Sequence, residues 1–363
     1  MERLLLYSFF LIFLGSCVTD FTPEVKGVSD ILVVDGTITD GESVFHLSRS
    51  VGITDDIRSA DTITNAEVSV ERSDGVFYVA RQELKGAYRA INGALDPNLE
   101  YRLNISLDGK HYQSTFLKPL ISAGIDSLSY QMTENEEDVT IHVSSHAGKD
   151  DPPYYRWTYK ETWEVKARLY ANARIENGQL IWHNAYSSEN TYYCWVRDSS
   201  KTLLLGTAEK LAENRLVNYK LIEIPVTDDR ISVLYHVEVC QNQIRKEAYD
   251  YFKILRDEIE RTGNLFSPIM SAGDNGNIFC LSDPDELVIG YVEVATTARA
   301  AIFIPYDNVY SPPNTGLASC DIVSAKGTLP MGKAWYVYMD LAATPHCVDC
   351  RLMRGATKNR PVW

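Results

Sequence analysis

The stretch of sequence that decides the fold reads Tyr101-Arg102-Leu103-Asn104-Ile105-Ser106-Leu107-Asp108-Gly109. Its apolar residues recur at every second position, which is the period of a β-strand with one buried face. An Asp-Gly pair directly after such a strand is a strong signal for a two-residue hairpin turn. We therefore predict a β-hairpin whose second strand begins near His111-Tyr112-Gln113.

The same strand pattern extends over residues 30–120. Ile31-Leu32-Val33-Val34 is a short apolar run that ends at Asp35-Gly36, and further alternating stretches follow it. Because the strands are closely spaced with no helical pattern between them, this segment is predicted to be an immunoglobulin- or fibronectin-like β-sandwich. No cysteine occurs in it, so the predicted sandwich lacks the inter-sheet disulfide of antibody domains.

Residues 121–363 are predicted to form a second, larger β-rich domain. Its clearest strand alternates from Ile231 to Val239. One amphipathic helix is expected at about residues 243–261, because apolar residues recur there at helical spacing with charged residues between them. The predicted fold is therefore mostly β, with an N-terminal sandwich followed by a β-rich domain that carries one long helix.

Residues 1–16 have the features of a lipoprotein signal peptide. One basic residue precedes a short apolar run, and Gly15-Ser16 supply the small residues of a cleavage site. The run is too short to span a bilayer, which needs about 20 apolar residues. Leu14-Gly15-Ser16-Cys17 is similar to the bacterial lipobox, so we expect lipidation at Cys17 and a polar tether over residues 17–29. The alternative is an ordinary signal peptide with a chance cysteine.

The composition is that of a globular protein that does not bind nucleic acid. The chain has 363 residues, 45% of them hydrophobic and 23% charged, which is typical of folded domains. Its net charge of −14 argues against binding to nucleic acid or directly to anionic lipid head groups. We therefore expect the lipid at Cys17 to be its attachment to the membrane.

Six cysteines remain once Cys17 is set aside, and an exported chain is expected to use them in disulfides. The sequence does not choose among the pairings. His346-Cys347-x-x-Cys350 also has metal-like spacing, and zinc would need a further ligand such as Cys320. We favour disulfides and predict no metal site. The candidate disulfide cysteines are Cys194, Cys240, Cys280, Cys320, Cys347 and Cys350.

No common catalytic signature is present in the sequence. The nucleophile elbow, the metalloprotease helix motif, the phosphate-binding loop and the dinucleotide fingerprint are all missing, so we predict neither a catalytic residue nor a cofactor. A polar, Tyr-rich stretch between residues 166 and 200 is predicted to be an insertion, where exposed function often lies. Its rings could stack on sugars or peptides, although core packing is the alternative for each: Tyr186, Tyr192, Tyr193 and Trp195.

Several segments, spread over nearly the whole chain, carry a resemblance to one family. They are Leu32 to Asp40, Cys194-Trp195, Gln241, Glu247 to Tyr251, Gly276-Asn277-Ile278, Asp283-Pro284, Gly290-Tyr291, Cys347-x-Asp349-Cys350-Arg351 and Trp363. In these segments the chain resembles an uncharacterised family of Bacteroidota outer-membrane lipoproteins, named as domain of unknown function 4249. Ala356-Thr357 departs from the pattern, which has a Gly-rich pair there.

The resemblance implies an envelope lipoprotein whose gene often neighbours TonB-dependent outer-membrane receptors, and it implies no catalytic residue. We therefore expect a non-enzymatic, lipid-anchored accessory of a TonB-dependent nutrient-uptake system, located at the outer membrane on either face. Its expected partners are the membrane, a receptor or other outer-membrane protein, and a glycan or peptide ligand. Two alternatives stay open, a surface hydrolase that acts on glycan or peptide and a structural or adhesive surface protein.

Overall fold

A computed structural model of the chain describes residues 30–50, 61–177, 179–183, 190–262, 276–309, 320, 322–324, 336–338 and 341–362. The predicted signal peptide, Cys17, the tether and Tyr186 lie outside the described residues. The described chain is built mainly of β-strands arranged in several sheets, with few helices. This confirms the predicted fold class.

The strands follow one another along the chain with short connections. In chain order they are β1 (Leu32–Ile38), β2 (Gly41–Arg49), β3 (Asp61–Thr62), β4 (Glu67–Arg72), β5 (Phe77–Val79), β6 (Arg81–Leu84), β7 (Ala87–Gly93), β8 (Tyr101–Leu107), β9 (Lys110–Ser114), β10 (Ile125–Met132), β11 (Asp138–His146), β12 (Tyr154–Lys166), β13 (Ala173–Glu176), β14 (Gln179–Trp182), β15 (Tyr193–Ser199), β16 (Leu204–Thr207), β17 (Arg215–Pro225), β18 (Leu234–Ile244), β19 (Ile278–Cys280), β20 (Val288–Gly290), β21 (Glu293–Val294), β22 (Ala298–Pro305), β23 (Ile322–Ser324), β24 (Tyr336–Tyr338) and β25 (Leu341–Ala343). The α-helices are α1 (Lys246–Thr262) and α2 (Pro345–Val348), and short 3-10 turns occupy Asp229–Ile231, Tyr306–Asn308 and Cys350–Leu352.

The first strands form a sandwich of two sheets. One sheet has the order β20-β1-β2-β7-β6 and the other has the order β19-β9-β8-β4-β5. The alternating residues of β8 point into the apolar core between them, as their period predicts. Leu107 pairs with Lys110 across the turn, where Asp108 and Gly109 have φ of 51° and 79°. Positive φ at both turn residues is the type I′ hairpin geometry, so the predicted hairpin is confirmed.

Strands from much later in the chain complete this sandwich. β20 and β21 pair in parallel with β1, with Leu32 opposite Val288, and β19 pairs with β9. Residues between 278 and 294 therefore belong to the core that residues 30–120 begin. The sequence did not predict this pairing, because parallel pairing over such a separation leaves no local signal. The division of the chain at residue 120 stays a prediction.

A second pair of sheets encloses the other large core. The order β10-β11-β17 forms one sheet, and β15-β12-β18-β22 forms the other, with β16 paired to β12. β12 lies at the centre of the larger sheet and pairs along its length with β18, from Tyr154 opposite Ile244 to Glu164 opposite Leu234. A further sheet, β14-β13-β24-β25-β23, includes part of the predicted insertion.

A buried glutamine joins these two sheets. The Gln241 amide donates to the Ala123 carbonyl at 2.9 Å and to the Ser145 hydroxyl at 2.8 Å, and its oxygen accepts from the Trp157 indole N–H at 2.8 Å. Gln241 is fully buried, and a buried polar group costs free energy unless it is paired. One side chain therefore satisfies three groups in the core.

We predict that Gln241→Leu lowers the free energy of unfolding by about 2–4 kcal/mol, because the buried Trp157 indole N–H and the Ala123 carbonyl lose this partner and Ser145 keeps only its bond to the Gly124 carbonyl. Urea unfolding measures the change. Gln82→Leu, on the exposed edge strand β6, is the matched control and should change stability by less than about 0.5 kcal/mol. Equal effects of the two substitutions would contradict this role for Gln241.

Helix α1 lies close to its predicted position. It begins at Lys246 rather than near residue 243, because Gln243 and Ile244 still pair with β12 as the end of β18. Its buried face consists of Ala248, Tyr251, Phe252 and Leu255. This face contacts β12 and β16.

The N-terminal end of α1 is fixed by a buried carboxylate. Glu293 in β21 is fully buried and accepts from the Arg245 backbone N–H at 3.0 Å. It also binds the guanidinium of Arg245. Burial raises the pKa of Glu293, and the charge of Arg245 opposes that rise. The helix is thereby tied to the strand that completes the first sandwich.

Four of the candidate disulfide cysteines are paired. Cys194 bonds to Cys350 and Cys320 bonds to Cys347, so two bridges fix the C-terminal segment. Cys320, Cys347 and His346 lie close enough to share a metal, but the two sulfurs are bonded to each other. This outcome agrees with the preference for disulfides over zinc.

Cys240 and Cys280 carry free thiols, so the prediction that they form disulfides is wrong. Cys240 lies in β18 with Thr158 and Arg299 as its cross-strand neighbours. Cys280 lies in β19, opposite Tyr112 in the core of the first sandwich. The two residues belong to different sheets, and the residues paired with them on the neighbouring strands are not cysteines.

The two disulfides should differ in their contribution to stability. They close segments of 156 and 27 residues, and the entropy removed from the unfolded chain grows with loop length. We predict that replacing Cys194 and Cys350 by Ala costs about 1.5 kcal/mol more than replacing Cys320 and Cys347. Chemical unfolding of the two double variants measures the difference. An equal or smaller loss for the first pair would contradict the chain-entropy explanation.

Candidate functional site

The aromatic residues predicted to contact a ligand pack against one another. Tyr192 meets Tyr193 edge-on at 4.7 Å between ring centroids, and it meets Tyr170 in the same way at 5.5 Å. The ammonium group of Lys358 lies 5.9 Å from the ring centroid of Trp195. None of the three predicted residues that the structure describes lines the cavity below. Their contact with a ligand stays a prediction.

A cavity of about 380 Å³ lies between β1, β12 and the helix α1. We call it the helix cavity. Ligand pockets in proteins have volumes of about 300–1,000 Å³, so this one suits a small molecule. Its lining residues are Val33, Val34, Asp35, Arg156, Trp157, Thr158, Ser200, Lys201, Thr202, Leu203, Tyr251, Phe252, Leu255, Arg256, Ile259, Glu260 and Ile289.

An ion pair joins two walls of the helix cavity. The Arg156 Nη2 of β12 donates to Asp35 Oδ1 of β1 at 2.9 Å. The guanidinium carbon of Arg156 also lies 4.3 Å from the ring centroid of Phe252, in cation–π contact. The Arg156 side chain is 10% exposed and that of Asp35 is 58% exposed. The carboxylate is therefore the more accessible partner of the pair.

The Asp35 carboxyl group is held in its ionised form. Its protein surroundings raise its pKa, but the charge and hydrogen bond of Arg156 outweigh that effect, with smaller help from His46 and the Gly36 N–H. The net result is a pKa below the ordinary value of 3.8. An ionised carboxylate only accepts hydrogen bonds, so Asp35 offers acceptor lone pairs to the cavity.

A buried hydroxyl without a partner lies at the same place. Tyr251 is 1% exposed, and its hydroxyl makes no hydrogen bond with the part of the chain that the structure describes. Burial raises the pKa of Tyr251, and the charge of Asp35 adds to the rise. The charge of Arg156 and the nearby Gly290 N–H, whose geometry falls short of a hydrogen bond, oppose it. Tyr251 therefore keeps its proton and can donate. Buried polar groups without a hydrogen-bond partner are rare in proteins, so this hydroxyl is available to an ordered water or a ligand.

The sequence alone did not reveal this site. Asp35-Gly36 reads as the end of a strand, whereas in the structure β1 continues through both residues. Arg156 lies in the aromatic run Tyr154-Tyr155-Arg156-Trp157. A charged residue within a buried strand was the one feature of the sequence that could have pointed to this site. Tyr251 reads as an ordinary residue on the apolar face of a helix. The sequence contains each residue but does not show that the three meet.

Comparison with known protein families identifies the family of this chain. Residues 18–301 match the model of the family described as Domain of unknown function (DUF4249). The chain belongs to this family. Three of the segments that carry the resemblance, Leu32 to Asp40, Glu247 to Tyr251 and Gly290-Tyr291, meet at or beside the helix cavity.

The other comparisons give no information about the function of the chain. No curated protein matches the chain. One solved chain, from the structure described as "Complete structure of manganese lipoxygenase of Gaeumannomyces graminis and partial structure of zonadhesin of Komagataella pastoris", is 9% identical over 60% of this chain and 89% of that chain. The TM-score of 0.17 is too low to carry an argument. Within the described residues, no helix combines the length and apolar content needed to cross a membrane.

A second concave site, the charged cleft, has a volume of about 650 Å³ and a different character. It is open, and three of the carboxylates that line it already have hydrogen-bond partners. Asp126 accepts from His146 at 2.7 Å, Asp151 accepts from the Gly148 N–H at 2.8 Å, and Glu209 accepts from the Tyr154 hydroxyl at 2.6 Å. These carboxylates support the loops around the cleft.

We predict that the stability lost in Asp35→Asn shrinks at acid pH. The pKa of Asp35 is lowered on folding, so its contribution is present above the ordinary value of 3.8 and is lost as the pH falls through the folded pKa. Urea unfolding of both proteins from neutral pH to about pH 3 measures the gap. Asp150→Asn, at an exposed carboxylate, is the control. A gap that stays constant or widens would contradict the pairing with Arg156.

Proposed function

We propose that this chain is a non-enzymatic binding protein of the cell envelope whose ligand site is the helix cavity. The observation that carries this proposal is the meeting of Asp35, Arg156 and the unpartnered Tyr251 hydroxyl in one enclosed, mainly apolar cavity. Apolar walls with a few convergent polar groups are typical of small-molecule sites.

The protonation of these groups favours binding over catalysis. A general acid or base works best with a pKa near the operating pH. Asp35 has a lowered pKa and Tyr251 a raised one, so neither exchanges protons readily near neutrality. Arg156 is engaged by the carboxylate and by the ring of Phe252. These groups are suited to orienting a ligand.

The sequence and the family resemblance also support a proposal for the location and the partner. We propose that lipid at Cys17 anchors the protein to the outer membrane, beside a TonB-dependent receptor that it assists in nutrient uptake. The lipobox Leu14-Gly15-Ser16-Cys17 supports the anchor, and a net charge of −14 suits a body held off an anionic surface. The resemblance to lipoproteins encoded beside such receptors supports the partner.

The test is co-purification from the native membrane with a C-terminal affinity tag. We expect the wild-type protein to fractionate with membranes and to retain an outer-membrane receptor. Cys17→Ser should release it into the soluble fraction without the receptor. Cys240→Ser, which removes a free thiol but leaves the anchor, is the control and should behave like wild type. Continued membrane association of Cys17→Ser would contradict the anchor, and a wild-type protein that never retains a receptor would contradict the partner.

A further inference from the structure

We propose that the helix cavity selects a small neutral ligand with a compact apolar body and one head group that both donates and accepts a hydrogen bond. A hydroxyl or a primary amide has this property, and a carboxylate of the same shape would be excluded. This inference rests on the proposed binding role and specifies the ligand of the same site.

The walls define the body of the ligand. Six aliphatic side chains contribute to the lining, namely Val33 and Val34 on β1, Ile289 on β20, and Leu203, Leu255 and Ile259. The aromatic residues of the cavity are almost completely buried, with Trp157 at 1% and Phe252 at 3% exposure. They do not form the open ring platform on which a sugar stacks. A volume of about 380 Å³ therefore favours a compact apolar body over an oligosaccharide or a long peptide.

The exposed carboxylate defines the donor of the head group. One oxygen of Asp35 accepts from Arg156, and most of the carboxylate surface remains accessible, whereas Arg156 is nearly buried. The polar group that a ligand meets first is therefore a hydrogen-bond acceptor, the Asp35 carboxylate. A ligand carboxylate would lie beside the ionised carboxylate of Asp35, and like charges repel. The other cations of the lining, Lys201 and Arg256, are paired with acidic side chains of the chain itself. Arg156 balances the charge of Asp35, so a neutral donor is sufficient.

The tyrosine defines the acceptor of the head group. Tyr251 lines the same cavity as Asp35 and Arg156, and its hydroxyl is buried there without a hydrogen-bond partner in the described part of the chain. Its only missing partner is an acceptor, because a phenol donates one hydrogen bond. A head group that donates to Asp35 and accepts from Tyr251 would satisfy both residues, which a hydrocarbon or an ammonium group cannot do.

Three ligands with the same naphthalene body test the proposal: 2-naphthalenemethanol, 2-methylnaphthalene and 2-naphthoate. The protein is the full-length Cys17→Ser chain without detergent, and calorimetric titration measures each affinity. We expect the alcohol to bind about tenfold tighter than the hydrocarbon, and the carboxylate to bind weakest. Tyr251→Phe should weaken the alcohol by about three- to tenfold and leave the hydrocarbon unchanged, because only the hydroxyl is removed.

A cavity-filling variant locates the binding. Leu255→Trp should abolish binding of all three ligands, whereas Leu84→Trp on the exposed edge of β6 should leave their affinities unchanged. If Leu255→Trp blocks binding but the carboxylate binds tightest, or Tyr251→Phe weakens alcohol and hydrocarbon equally, the head-group assignment is overturned and the binding role survives. If no ligand binds saturably, or Leu255→Trp changes nothing, the binding role of the cavity itself is overturned.

Discussion

The contact between Asp35 and Arg156 is the constraint on which the arrangement of the sheets and the helix depends. β1 belongs to the first sandwich and β12 is the central strand of the second large sheet, so the ion pair joins two separate cores. An arginine in a buried aromatic run costs free energy unless its charge is paired. Asp35 supplies that partner, and Phe252 of α1 covers the other face of the guanidinium. β1, β12 and α1 thereby all contact the guanidinium group of Arg156.

The cavity is a consequence of this arrangement. The ion pair and Phe252 lie where the helix and the two sheets meet, and the cavity is lined by the same residues. Glu293 and Arg245 hold the N-terminal end of α1 against β21. A nearly buried arginine charge and an unsatisfied buried hydroxyl are departures from optimal packing, and such departures are expected at functional sites.

Local patterns in the sequence were sufficient to predict the elements. The alternation from Tyr101 to Leu107 predicted β8, Asp108-Gly109 predicted the turn, and helical spacing predicted α1 to within three residues of its start. Long-range features were not predictable in this way. The pairing of β1 with β20, the choice of Cys194 for Cys350 and the meeting of Asp35 with Arg156 each join residues far apart in the chain. Nothing in either local stretch identifies its partner.

The same long-range pairing couples the cavity to the completion of the fold. Ile289 of β20 lines the cavity, and β20 can join β1 only after the second pair of sheets and α1 have been traversed by the chain. Antiparallel neighbours such as β8 and β9 can form at once, whereas parallel pairing must close a long loop first. The strands that complete the first sandwich follow α1 in the chain, and β20 lines the cavity together with this helix. A ligand that binds between them stabilises the whole chain, because its contacts exist only when both sandwiches and α1 are in place.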